Sequence, residues 1–89
     1  MMNIAENSVL TSALSNEIVV IPQGARTIDI TNTGSSTIFY TGNSPQGAIP
    51  LTPVGILQNQ AYSFGDTGKP YPALTINCTG GTAEISVVY

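Results

Sequence analysis

Six prolines and nine glycines are spread along the 89 residues as punctuation between short apolar runs. Proline removes a backbone donor and blocks helix continuation, and glycine weakens the interior of any regular element, so this pattern favours short strands joined by turns. Glu17-Ile18-Val19-Val20-Ile21 is β-branched and stops at Pro22-Gln23-Gly24. Arg26 to Thr31 alternates strictly, which puts Ile28 and Ile30 on one face and Asp29 on the other. Asn32-Thr33-Gly34-Ser35 is a tight-turn signal with Gly34 available for positive φ, and Ser36 to Thr41 returns with Ile38, Phe39 and Tyr40. Residues 26–41 are therefore expected to form a hairpin.

Gly42 to Pro53 is loop-like, with Ile49, Leu51 and Leu57 apolar enough to pin it down, and Gly65 to Pro72 is a second long loop. Gln60 to Phe64 alternates and presents Tyr62 and Phe64 to one side. Leu74 to Cys78 alternates before a turn at Thr79-Gly80-Gly81, and Glu84 to Tyr89 ends with Ile85, Val87 and Tyr89 on the inner face. Roughly six or seven short antiparallel strands at this spacing predict an all-β domain over 17–89. The expected architecture is a small β-sandwich, jelly-roll or immunoglobulin-like, or a compact barrel. In residues 1–16 the apolar Ile4, Val9, Leu10 and Leu14 sit among polar neighbours without a clean period. That segment reads either as an N-terminal arm that orders on a partner or as one more strand near Ser8–Leu14.

Charge narrows the function. Charged residues are 8% of the chain, with Lys and Arg totalling 2, Asp and Glu totalling 5, and a net charge of -3. An average soluble domain carries about 25%. Arg26 and Lys69 alone cannot neutralise a run of phosphates, so nucleic acid is excluded as a partner, and an anionic membrane on the same ground. Ser, Thr, Asn and Gln supply roughly a third of the residues, and such neutral groups cost less to desolvate than charged ones. This composition suits a surface packed against neighbours. A 9.2 kDa domain buries only about 60–65% of its extended-chain surface. With one cysteine and no histidine, neither a disulfide within the chain nor a zinc site can reinforce it. Oligomerisation or docking remains. Nothing in residues 1–15 resembles a secretory leader, so the chain is expected to be made in the cytoplasm.

Motifs that carry chemistry fare poorly. Asp66-Thr67-Gly68 matches the catalytic triplet of aspartic proteases, but Gly65 precedes it and Lys69-Pro70 follows. That family places an apolar strand before the Asp and a small residue after the Gly. Gly68-Lys69 fails as a phosphate loop because Pro70 and Ser63 occupy the positions that need Ser/Thr and Gly. Asn77-Cys78-Thr79 fits a glycosylation acceptor, and Cys78 shares a face with Leu74 and Ile76, where no histidine can activate it. Glu6, Glu17, Asp29 and Glu84 are separated singletons. The expectation is a protein without catalytic residues, cofactor or metal. Tyr71, between Pro70 and Pro72, is the aromatic expected to make contacts, while Tyr40, Tyr62 and Tyr89 belong to strands.

The run Ile21 to Thr37, the Tyr-Thr-Gly corner at Tyr40–Gly42, Ile49-Pro50-Leu51-Thr52-Pro53 and the Tyr62–Phe64 strand together give a recognisable order. Across about residues 17–89 the chain resembles small tailed-bacteriophage virion proteins of the capsid decoration (cement) or head-fibre type. Pro53-Val54-Gly55 stands where a direct Pro-Gly is commoner in them. The resemblance implies a structural protein of the virion, a homotrimer or other small oligomer on the outer surface of the capsid, whose partners are major capsid proteins and its own copies. Avidity over many weak contacts would then clamp the shell. The residues expected to bind protein are Ile4, Val9, Leu10, Leu14, Ile49, Leu51 and Tyr71. A receptor- or glycan-binding module of a phage tail or fibre is the alternative.

Overall fold

The computed structural model describes residues 9–44, 49–65 and 69–89. These form eight strands: β1 (Val9–Ser15), β2 (Ile18–Ile21), β3 (Thr27–Asn32), β4 (Ile38–Gly42), β5 (Val54–Ile56), β6 (Ala61–Phe64), β7 (Leu74–Asn77) and β8 (Thr82–Val88). They build two four-stranded antiparallel sheets, ordered β1-β8-β3-β6 and β2-β7-β4-β5. The pairing is nested: β1 with β8, β2 with β7, β3 with β6, β4 with β5. Two further ladders, β3 with β8 and β4 with β7, close the sheets. A single long hairpin rolled on itself gives this order, the jelly-roll form of the β-sandwich.

Alternation along each strand places the core. Ile28 and Ile30 of β3, Ile38 and Tyr40 of β4, Leu74 and Ile76 of β7, and Ala83, Ile85 and Val87 of β8 all point between the sheets and are buried. Cys78 and Tyr89 extend the same rows. The accessible surface of 5055 Å² matches the ~4,900 Å² typical of a monomer of 9.2 kDa and corresponds to about 62% burial. The core is as full as a lone domain of this mass allows.

Three expectations change. Residues 26–41 are not a hairpin, because β3 and β4 lie in different sheets. The segment between them is a corner organised by Asn32, which is 1% exposed. The Asn32 Nδ2 donates to the carbonyls of Ser36 and Ile56, both at 2.8 Å, and its Oδ1 accepts from the N–H of Gly34 at 2.9 Å. Gly34 does not use positive φ. It is needed because a Cβ there would lie 2.6 Å from the Thr82 hydroxyl. Secondly, of the two readings of the N-terminal segment, Val9–Ser15 takes that of one more strand and pairs residue by residue with β8. Ile4 and the rest of 1–8 lie outside the described residues. Thirdly, β1 and the three-residue β5 raise the strand count above six or seven.

The strand directions sort the connections into two ends. At one end sit the short corners after β1, β3, β5 and β7, cross-tied by asparagines. Asn16, at φ 49°, accepts from Gly80 N–H at 2.9 Å and donates its own N–H to Gly81 at 3.0 Å. Asn59, at φ 63°, donates its N–H to the carbonyl of Asn32 at 3.2 Å. At the opposite end the connections after β2, β4 and β6 come together with Tyr89, whose hydroxyl donates to the carbonyl of Pro22 at 2.6 Å. Both long loops expected from the sequence therefore share one end of the sandwich.

Candidate interaction surface

The two outer faces of the sandwich differ in chemistry. Outward positions of the β1-β8-β3-β6 sheet are mostly small and polar: Ala13 and Ser15, Thr82, Glu84 and Ser86, Thr27, Asp29 and Thr31, Ala61 and Ser63, with Val88 half-buried at the end of β8. Both exposed acids of the strands, Asp29 and Glu84, stand here. The outer face of the β2-β7-β4-β5 sheet carries no charged side chain among the described residues. Its outward positions are Ile18 and Val20 from β2, Thr75 and Asn77 from β7, Phe39 and Thr41 from β4, and Gly55 from β5.

Three of these are large apolar groups left in water: Ile18 is 61% exposed, Val20 41% and Phe39 40%. Register lines them up across the strands, Ile18 with Asn77 and Phe39, Val20 with Thr75 and Thr41. Phe39 sits opposite Gly55. A Cβ on that glycine would sit in ordinary contact with the ring at 3.5 Å and tightly against Thr37 at 3.2 Å. Beside it a depression of about 270 Å³ is lined by Phe39, Thr41, Pro53 and Asn77. Leu51 and Leu57, in the segments entering and leaving β5, are 53% and 55% exposed. Antiparallel sheets ordinarily keep one face polar. Here the solvent face also carries apolar groups, Ile18 and Val20 on one side of Asn77 and Thr75, and Phe39 on the other.

Several residues expected to bind protein are turned inward. Leu14 is 4% exposed because it faces the core opposite Ala83. Ile49, at 2%, anchors its loop beside Gly42, whose N–H donates to the carbonyl of Pro50 at 2.6 Å. Tyr71 is 8% exposed. Its backbone bonds to the β2–β3 connection at both N–H and C=O, 2.8 Å to Ala25 and 2.9 Å from Gly24, and its hydroxyl donates to the carbonyl of Gly65. Its ring packs on Phe64 at 5.7 Å, which packs on Tyr40 at 5.4 Å. The two flanking prolines thus hold an aromatic lid on the core. Tyr62, expected inside, is 36% exposed at the edge of that cluster. Val9 and Leu10 take ladder positions opposite Val88 and Val87. Of the seven, Leu51 stands in solvent.

What sequence reasoning missed is Ile18, Val20 and Phe39. The signal was present. Glu17-Ile18-Val19-Val20-Ile21 is apolar at both parities, and a strand with apolar residues on both faces needs a cover on each.

The chemistry available elsewhere is thin. Cys78 is fully buried, its thiol pushed up by desolvation, partly offset by the Asn16 backbone and raised further by Glu17. Among the described residues no three His, Cys, Asp or Glu side chains come together as a metal site. Asp66-Thr67-Gly68 lies outside the described residues. The chain matches no known family and no curated protein. Among solved structures it is similar to a de novo designed double-stranded β-helix determined by solution NMR, at 13% identity and a TM-score of 0.46. That likeness covers 91% of this chain and 96% of the designed one.

Proposed function

We propose that this protein is a non-catalytic binding module of a virion, a capsid decoration protein that docks on major capsid proteins and stabilises the shell. The observation that carries the reading is the uncharged outer face of the β2-β7-β4-β5 sheet, with Ile18, Val20 and Phe39 exposed in register. The sequence resemblance to decoration and head-fibre proteins supplies the kind of partner. Aromatic anchors dominate interface energetics, and a Phe ring flanked by a depression suits that role. Copies of the chain associate on the shell as a small oligomer, and multiple weak contacts add through avidity.

Co-sedimentation of the purified protein with empty capsids tests this. The wild type is expected to pellet with the shells, and Phe39→Glu to lose binding by about 30-fold, as for an anchor worth about 2 kcal/mol. Circular dichroism should leave the variant indistinguishable in fold, since residue 39 points outward. Protein that ignores capsids, or a folded Phe39→Glu that binds as well as wild type, overturns the reading. Binding to host cells or polysaccharide in the absence of capsids would transfer the protein to the fibre class.

A further inference from the structure

We infer that the outer edge of β1 is a self-pairing site, through which two copies of the chain join across a two-fold axis. Each sheet has two edges, and three of the four are short: β2 and β6 have four residues each and β5 three, entered by Pro53. Short edges and prolines are the ordinary protection against strand addition. β1 is the exception. It runs seven residues, Val-Leu-Thr-Ser-Ala-Leu-Ser, with no charge, proline or glycine, and among the described residues no strand lies beyond it.

The backbone direction supports the pairing. Asn16 donates its N–H toward β8, to Gly81 at 3.0 Å, whereas Ser15 donates outward, to the Glu17 Oε1 at 3.2 Å. Alternation then turns the backbone groups of Val9, Thr11, Ala13 and Ser15 away from β8. An axis beside Ser12 sets Val9 of one copy opposite Ser15 of the other, and Thr11 opposite Ala13, each as a hydrogen-bonded pair. The same register puts Leu10 opposite Leu14. Odd positions meet odd positions, so the strand is complementary to itself, as an isologous contact requires. The exposed Glu17 contact at Ser15 is long and is replaced by a strand carbonyl. Small outward residues such as Ala13 let the second copy approach. The joined sheets become one of eight strands, and the apolar faces of both copies stay uncovered for docking.

Sedimentation equilibrium of the full chain from 10 to 500 µM (roughly the range over which modest interfaces populate) reads the contact. The expected mass is twice 9.2 kDa for wild type. Ala13→Pro removes an outward donor without touching the β8 ladder and should give 9.2 kDa with unchanged circular dichroism. Ala13→Lys, opposite Glu84 in the ladder, is the second variant and should dissociate the pair if the proline form does not fold. A wild type that stays at 9.2 kDa throughout, or an oligomer that a folded Ala13 variant leaves intact, overturns the inference. Monomeric wild type that still pellets with capsids would sink the edge contact while leaving the docking face standing.

Discussion

Asn32 shows how much one polar side chain can decide. Its two donors and one acceptor are all used, at 2.8, 2.8 and 2.9 Å, in a site 1% exposed. Asn32→Asp keeps the acceptor for Gly34 but turns a carboxylate toward two carbonyls that have lost their donors. A loss of about 3 kcal/mol or more follows, read as a fall in the urea midpoint, whereas an unchanged midpoint would mean that the corner holds without those bonds. In the sequence this residue was legible as part of a turn and nothing more, since Asn-x-Gly serves many turn types. Tyr71 went wrong in the other direction. Proline on both sides suggested a displayed aromatic, but rigid extended backbone also suits a segment that bonds to its neighbour, and sequence alone does not separate the two. The buried tyrosines carry a pH signature. Desolvation raises the pKa of Tyr40, helped by the charge of Tyr62, and desolvation raises that of Tyr89. Both are acids whose neutral form the fold prefers, so their stabilisation is complete below the unfolded value of about 10 and is lost as pH rises beyond it. Absorbance titration should show a late phenolate component that coincides with loss of fold, and urea midpoints should be lower at pH 11 than at pH 9.

At the level of strands, periodicity located six of the eight, because alternation is a local property, and it placed the buried face of β3, β7 and β8. Partners were not legible. Residues 26–41 look like a hairpin in sequence, yet β3 pairs with β6 and β8 while β4 pairs with β5 and β7. A tight-turn signal specifies a reversal of direction, and a reversal can return in the same sheet or cross to the other. Here a buried Asn32 and the crowding of Gly34 against Thr82 settle the crossing. β5 escaped notice because three residues around Gly55 give no period, and β1 was legible only as one of two readings because Ser and Thr dilute its apolar positions. Gly42, at the end of β4, offers a sharper test of packing than Gly34. A Cβ there meets the Ile49 and Pro50 backbone in a fully enclosed site, whereas at Gly34 the nearest atom is the Thr82 hydroxyl and the Thr82 backbone nitrogen lies farther off, at 3.1 Å. Gly42→Ala should therefore lower stability by about 3 kcal/mol and Gly34→Ala by closer to 1. Equal effects in thermal melts would show that the loop yields as readily as a side chain.

For the molecule as a whole, composition gave the amount of charge and not its placement. Sparse charge was evident from the residue counts, but its segregation, acids on one sheet and none on the other, exists only once strands are assigned to sheets. That segregation makes a control possible. Asp29→Lys reverses a charge on the face opposite the proposed docking surface, and capsid pelleting should stay within about twofold of wild type. A large drop would move the docking surface to the acidic side.

β8 lies in the middle of its sheet, flanked by β1 and β3. While the polypeptide is being synthesised, the segments on either side of it exist without the strand that joins them. Half of the sandwich thus has no scaffold until β8 itself has been made. Closing the chain between β1 and β8 precedes the reward of that ladder, which places folding among the slower small domains, in about the millisecond-to-second range. Loss of β8 would abolish a sheet, where loss of β5 would remove a rim.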